Sequence, residues 1–175
     1  MLTEEQASQS AGMQYILCDI DRIGQLTREI METVAKQNKG KHKYSKDALK
    51  ELKKAMEQIQ MIFGSCIQAI SGDVNMDIKE LMRQKKTSCS WVKNAQNHIA
   101  RVGKGKCDSK LTIPFNDVLH NIDRIGNSCV NLVEVAKENV TMQALFCRGL
   151  GHAINKAVSH NGSRKSANRY FYTGT

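Results

Sequence analysis

Apolar residues recur along this chain at three- and four-residue spacing in four long runs, the pattern of helices that each bury one face. The first run covers about residues 12–35, with Ile16, Leu17, Ile20, Ile23, Leu26, Ile30 and Val34 as its inward stripe. It ends in KQNKGKHKY, a solvated lysine-rich connection in which Lys36 and Lys39 suit a helix C-terminus. The second run begins at Ser45, a good N-cap, with Asp47 in its first turn. Leu49, Leu52, Met56, Ile59, Phe63, Cys66, Ile67 and Ile70 form its stripe, which stops at Ser71-Gly72-Asp73. The third covers about residues 75–102, with Ile78, Leu81, Met82, Cys89, Val92 and Ile99 inward and Trp91 at its edge. GKGKCDSK then forms a turn. The fourth starts near Thr112, a potential cap, and continues to about residue 139; Pro114 fits there because it falls in the opening turn. Phe115, Leu119, Ile122, Ile125, Val130 and Val133 mark its apolar side.

The spacing therefore predicts an all-α, antiparallel up-down bundle of about four long helices over residues 1–140. Residues 141–158 hold a weaker helical pattern, through Met142, Leu145, Phe146, Leu150 and Ile154, interrupted by Gly149 and Gly151. From residue 159 the composition turns to Ser, Asn, Gly and basic residues. Residues 141–175 are thus expected to be a short docking helix and a basic, disordered tail.

Charge changes this picture little. The formal net charge is +9, but residues 147–175 contribute five basic residues and no acidic ones, which leaves the bundle at +4. A mildly basic bundle does not predict nucleic-acid binding, which needs clustered phosphate contacts. Six cysteines are widely spaced, with no CxxC pair. Cys18, Cys66 and Cys129 fall on or beside apolar faces and read as small buried hydrophobes in a reducing compartment. No run of apolar residues is long enough to cross a membrane, and the first 15 residues do not read as a secretory signal. GxxxxGK[ST], HExxH and GxSxG are all missing from the sequence, and no nucleophile–base spacing stands out, so an enzyme is not expected.

An internal repeat is the most informative feature. Residues 17–24 read LCDIDRIG and residues 119–126 read LHNIDRIG, an offset of 102 with six of eight positions identical. Glu32 and Glu134 extend the register. Two helices of one kind thus lie at the two ends of the bundle, as in a fold built of three-helix units. Ile20, Ile23, Ile122 and Ile125 read as core-facing, and Gly24 and Gly126 sit inside helices, where glycine is tolerated if another helix crosses closely. Asp21 and Gln25 share a face, as do Asp123 and Asn127. Arg22 and Arg124 are placed to pair with carboxylates on neighbouring helices. These residues read either as a packing motif or as a surface for metal or phosphate.

DIDRIG and NIDRIGNSCVNLVEVA resemble the signature helix of the PhoU family of phosphate-transport regulators. More closely, they resemble the PhoU-like cytoplasmic domain attached to bacterial sodium/phosphate cotransporters. Asp123 stands at the family's Glu, with Arg124, Ile125 and Gly126 matching and Asn131, Leu132 and Glu134 in register. Upstream, NHIARVGKGKCDSK resembles the His-Ile-x-Arg, glycine, cysteine run through His98, Ile99, Arg101, Gly105 and Cys107, and Phe115 and Asp117 fit the opening of the next helix. The resemblance covers about residues 13–138.

It implies a bundle of three-helix units, often a homo-oligomer, that regulates or senses phosphate transport on the cytoplasmic side of the membrane. The implied partner is a phosphate transporter, such as the membrane domain of a sodium/phosphate cotransporter. Family members bind iron or zinc clusters through Glu/Asp-xxx-Asp pairs. Here those pairs would be Asp21 with Gln25 and Asp123 with Asn127, and an amide brings no negative charge to a cation. The expectation is consequently a chain without a metal cofactor. An iron- or zinc-binding bundle is the alternative, with a weak site drawn from Asp19, Asp21, Asp117 or Asp123. His98 and His120, polar on long helices, are expected to be exposed or hydrogen-bonded.

Overall fold

The computed structural model describes residues 3–70, 78–88 and 91–138. Five α-helices are present in them: α1 (Glu4–Lys39), α2 (Lys46–Ile70), α3 (Ile78–Ser88), α4 (Trp91–Gly103) and α5 (Thr112–Glu138). Among the described residues there is no strand, and no helix is long and apolar enough to cross a membrane. The expected docking segment 141–158 and the basic tail lie outside the described residues.

Helix boundaries follow local chemistry. α1 starts well before Gly12 because Thr3 and Gln6 form a reciprocal capping box: the Thr3 hydroxyl accepts from the Gln6 N–H while the Gln6 side chain accepts from the Thr3 N–H. Ser45 caps α2 as expected, its Oγ accepting from the Ala48 N–H at 3.2 Å. The third helix expected over 75–102 is described in two parts, α3 and α4; residues 75–77 and 89–90 lie outside the described residues. α4 closes with a Schellman-type turn. Lys106 N–H returns to the Arg101 carbonyl and Gly105 N–H to the Val102 carbonyl, both at 2.9 Å, and Gly105 takes the φ of +66° that this turn requires. Thr112 does not cap α5. Asp108 takes that role one turn earlier, accepting from the Lys110 N–H at the start of a 3-10 turn, Ser109–Leu111, that leads into the helix.

Cross-helix contacts fix the directions. Asp19 meets Ser128 and Glu29 meets Asn121, so α1 and α5 run antiparallel. Tyr44 lies beside Phe115 and Cys66 beside Cys129, so α2 runs parallel to α5. Glu51 pairs with Arg101 and Ser65 with Gln84, so α4 and α3 run opposite to α2. The order is up, down, up, down.

α5 is the central element. It packs on all four other helices, and Phe115, Val118, Leu119, Ile122, Ile125, Cys129, Leu132 and Val133 are buried around its circumference. A helix apolar on most sides is stable only when surrounded in this way. α1 is peripheral, docked on α5 through Ile16, Asp19, Leu26 and Ile30. Several positions expected inward face solvent: Leu17, Ile20, Leu49, Met82 and Ile99. In α1, Leu17 and Ile20 sit one stripe away from the α5 contact. Leu49, Met82 and Ile99 lie on the outer flanks of helices that touch the core along one side alone. Val92 and Trp91 fall among side chains outside the described set.

Candidate functional site

The repeated helices α1 and α5 lie against each other, and their junction collects most of the residues singled out by sequence. Asp19 is buried there. Its carboxylate accepts from the Ser128 hydroxyl at 2.9 Å and lies 3.6 Å from the Arg22 guanidinium on its own helix. On the same seam the Asn121 amide donates to Glu29 at 2.9 Å. Residues 19 and 121 are equivalents in the repeat, and each reaches across to the other helix.

Beside this seam runs a polar groove lined by Cys18, Asp21, Arg22, Gln25, Leu26, Glu29 and Arg124. Two guanidinium groups and two carboxylates nearly cancel, so the groove offers no strong net field to a free anion or cation. Asp21 accepts from the Gln25 amide at 2.6 Å, and Asn127 donates to Asp123 at 3.4 Å. The amides that replace the second carboxylate of each pair therefore act as hydrogen-bond partners of the first. Asp117 stands two turns earlier on α5, beside Tyr44, away from Asp19 and Asp21. Burial, with the charge of Asp117, pushes the Tyr44 hydroxyl up to about 12. No group of three metal-ligating side chains converges among the described residues.

Some expectations fail here. Arg22 pairs within its own helix rather than across to a neighbour. Cys18 is exposed, because it sits on the groove side of α1, whereas Cys66 and Cys129 are buried as expected. The Cys66 thiol donates to the Cys129 carbonyl at 3.3 Å; contact with Cys129 and burial push its pKa up, which makes it unreactive. Gly126 is approached by Ile59 of α2 and Lys85 of α3, both at 3.6 Å from where a Cβ would stand, but Gly24 has nothing within 4 Å.

The His-Ile-x-Arg…Cys run forms a second cluster, at the α2–α4–α5 end of the bundle. Arg101 makes a bidentate pair with Glu51, at 2.6 and 3.1 Å, and Asn97 donates to the same carboxylate at 3.2 Å. The Cys107 thiol donates to the Ser45 hydroxyl at 3.1 Å, joining the α5 approach to the α2 cap. His42 pairs with Asp108, whose carboxyl is held low by the Lys110 N–H and then by His42. His98 is neither exposed nor hydrogen-bonded. It is fully buried and stacked on Phe115, with ring centroids 4.4 Å apart and neither nitrogen partnered. Desolvation, and next the nearby Arg101 charge, lower its pKa. His120 is exposed. Sequence reasoning missed Glu51, the carboxylate that anchors Arg101. The available signal was a lone acidic residue on the α2 flank, which spacing alone does not distinguish from a solvated one.

Comparison of the chain with protein-family models, with curated proteins and with solved structures returns no match in any of the three.

Proposed function

We propose that this chain is a regulatory or sensor domain of phosphate transport. It acts by protein–protein contact with a phosphate transporter, such as a sodium/phosphate cotransporter membrane domain, or with that transporter's signalling partner. In this reading it works without catalysis, on the cytoplasmic side of the membrane. The observation that carries the reading is the antiparallel packing of the two IDRIG helices, across which the equivalent residues Asp19 and Asn121 each reach the other helix, at Ser128 and Glu29. This is the arrangement expected of repeated three-helix units in the PhoU-like proteins that the motifs resemble. The Arg101–Glu51 anchor adds support, because it gives the His-Ile-x-Arg…Cys run a role in holding the bundle together.

A metal-centred role draws less support. Asp21 and Asp123 are engaged by Gln25 and Asn127, and Asp19 is committed to Ser128.

The test is cross-linking in cells of the tagged full chain, under phosphate-replete and phosphate-starved growth. A phosphate transporter or its signalling protein should be captured, in a yield that changes with phosphate supply. Capture of neither under both conditions refutes the proposal. Elemental analysis of the same purified chain addresses the rival. Stoichiometric iron or zinc, lost in Asp21→Ala and Asp123→Ala, would replace the adaptor reading with the metal one.

A further inference from the structure

α1 carries a second apolar stripe that no described residue covers. Leu17, Ile20, Gly24, Thr27 and Met31 succeed one another at spacings of three, four, three and four, so they share one face of the helix. Leu17, Ile20 and Met31 are 55%, 37% and 59% exposed. Thr27 does not break the apolar run, because its hydroxyl already donates to the Ile23 carbonyl of the same helix at 2.7 Å. At the offset of 102 the α5 counterparts are Leu119, Ile122, Gly126, Cys129 and Val133, and every one is buried. Elsewhere among the described residues the large exposed apolar side chains stand apart from one another, as Met61 does on α2, Met82 on α3 and Ile113 on α5.

We propose that residues 141–158 of this chain, the apolar segment that follows α5, dock as a helix on this stripe of α1. The end of α5 sets the reach. Asp19 lies opposite Ser128 and Glu29 opposite Asn121, so continuing the antiparallel register puts Glu138, where α5 ends, level with about residue 10 of α1. A turn after Glu138 returns the chain alongside α1 just before Leu17. Length matches as well. Leu17 to Met31 spans about 21 Å of helix, and Met142 to Ile154 spans about 18 Å. Met142, Leu145, Phe146, Leu150 and Ile154 fall on one side of such a helix. The internal stretches outside the described residues, 71–77 and 89–90, are tied to helices at both ends and are too short to lie along the stripe. Charge agrees. Residues 1–32 carry six acidic and two basic side chains, whereas residues 141–158 carry Arg148 and Lys156 and no acidic one. Gly149 and Gly151 disfavour this helix in isolation, so its order depends on the α1 stripe. The dock is a local one. It opens below the global unfolding of the bundle, since α1 is already held on α5 through Ile16, Leu26 and Ile30. This inference is independent of the transport reading.

Hydrogen exchange of the full chain, read peptide by peptide by mass spectrometry, tests it. The amides of 142–154 should exchange at least about tenfold more slowly than those of an unfolded chain, and equally so from about 1 to 50 µM protein. Leu17→Glu and Ile20→Glu should each abolish that protection while the α5 amides of 115–133 stay protected. Both side chains are exposed in the described bundle, so neither substitution strikes the core. Phe146→Glu should have the same effect from the other partner. Met61→Glu, at an exposed apolar residue of α2, is the control and should leave 142–154 protected. Exchange of 142–154 at the rate of an unfolded chain overturns the proposal. Protection that survives either α1 substitution, or that Met61→Glu also removes, overturns it equally. Protection that builds up with concentration overturns it too and assigns the stripe to a second copy of the chain.

Discussion

Replacing Gly126 by alanine should stabilise the protein, although this glycine lies in the most recognisable motif of the chain. Two contributions point the same way. Glycine in the middle of a helix costs about 0.8–1.0 kcal/mol relative to alanine, chiefly through backbone entropy. The new methyl would meet Ile59 Cδ1 and Lys85 Cγ at 3.6 Å and Lys85 Cε at 3.9 Å, ordinary van der Waals separations that require nothing to move. Burying it adds up to about 0.8 kcal/mol, so the expected gain is about 1–1.5 kcal/mol. Gly24→Ala is the control. Its methyl would have nothing within 4 Å, so it should show the propensity gain of about 1 kcal/mol alone. Each kcal/mol should raise the melting temperature by about 2–4 °C in a chain of this size.

The assay is urea and thermal unfolding followed by circular dichroism, with all variants at one dilute concentration because association would make the midpoint concentration-dependent. Gly126→Leu supplies the opposite sign. Its branched side chain would drive into Ile59 and the Lys85 stem and should cost about 1–3 kcal/mol. If Gly126→Ala lost stability while Gly24→Ala gained it, the two neighbours would have to be closer or stiffer than the structure shows, and the argument from contact distance would fail.

Other perturbations have equally definite signs. Glu51→Ala should cost about 2 kcal/mol in urea unfolding, less than a fully buried pair because the two side chains retain 20% and 12% of their exposure. Adding Arg101→Leu should recover part of that loss by removing the stranded guanidinium. Ser45→Ala should cost about 1 kcal/mol, since it removes both the α2 cap and the acceptor for the Cys107 thiol. His98 has a folded pKa below its ordinary 6.5, so the unfolded chain takes up its proton first as pH falls. Stability should therefore be full above about pH 6.5 and decline below it. His98→Leu should flatten that slope in urea midpoints measured between pH 7.5 and 5.5, and an unchanged slope would assign it to other groups.

The α2 stripe, the Ser45 cap, the Pro114 position and the all-helical class were legible because each depends on local spacing and local chemistry. Long-range facts were not. Periodicity identifies α1 as amphipathic but does not separate the stripe that meets α5, through Ile16, Leu26 and Ile30, from the exposed Leu17 and Ile20 beside it. A single helix pattern carries no information about how many neighbours the helix has. His98 was misjudged for a related reason. Its polarity argues for solvent or a hydrogen bond, but the α4 face on which it lies is closed by Phe115, a residue distant in sequence. Glu51 could be recognised as the Arg101 anchor only after α2 and α4 were placed side by side. The Asp21–Gln25 and Asp123–Asn127 contacts, by contrast, follow from i,i+4 geometry and could be read directly.

The two IDRIG segments separate what a motif encodes from what its surroundings decide. In both helices the stripe through residues 19 and 121 faces the other helix, Asp19 accepting from Ser128 and Asn121 donating to Glu29. A neighbouring stripe differs between the two copies: in α5, Ile122 and Gly126 lie under α2 and α3, whereas their α1 counterparts Ile20 and Gly24 have no such cover among the described residues. Identical residues therefore lie in the core in one copy and are exposed in the other. A substitution such as Ile122→Ala should lower stability by about 2–4 kcal/mol, whereas its repeat counterpart Ile20→Ala should leave stability nearly unchanged. Measuring urea unfolding of both variants would show whether this division is real. Equal losses of stability would mean that Ile20 is held in the core of the single chain after all, and the argument from exposure would fail.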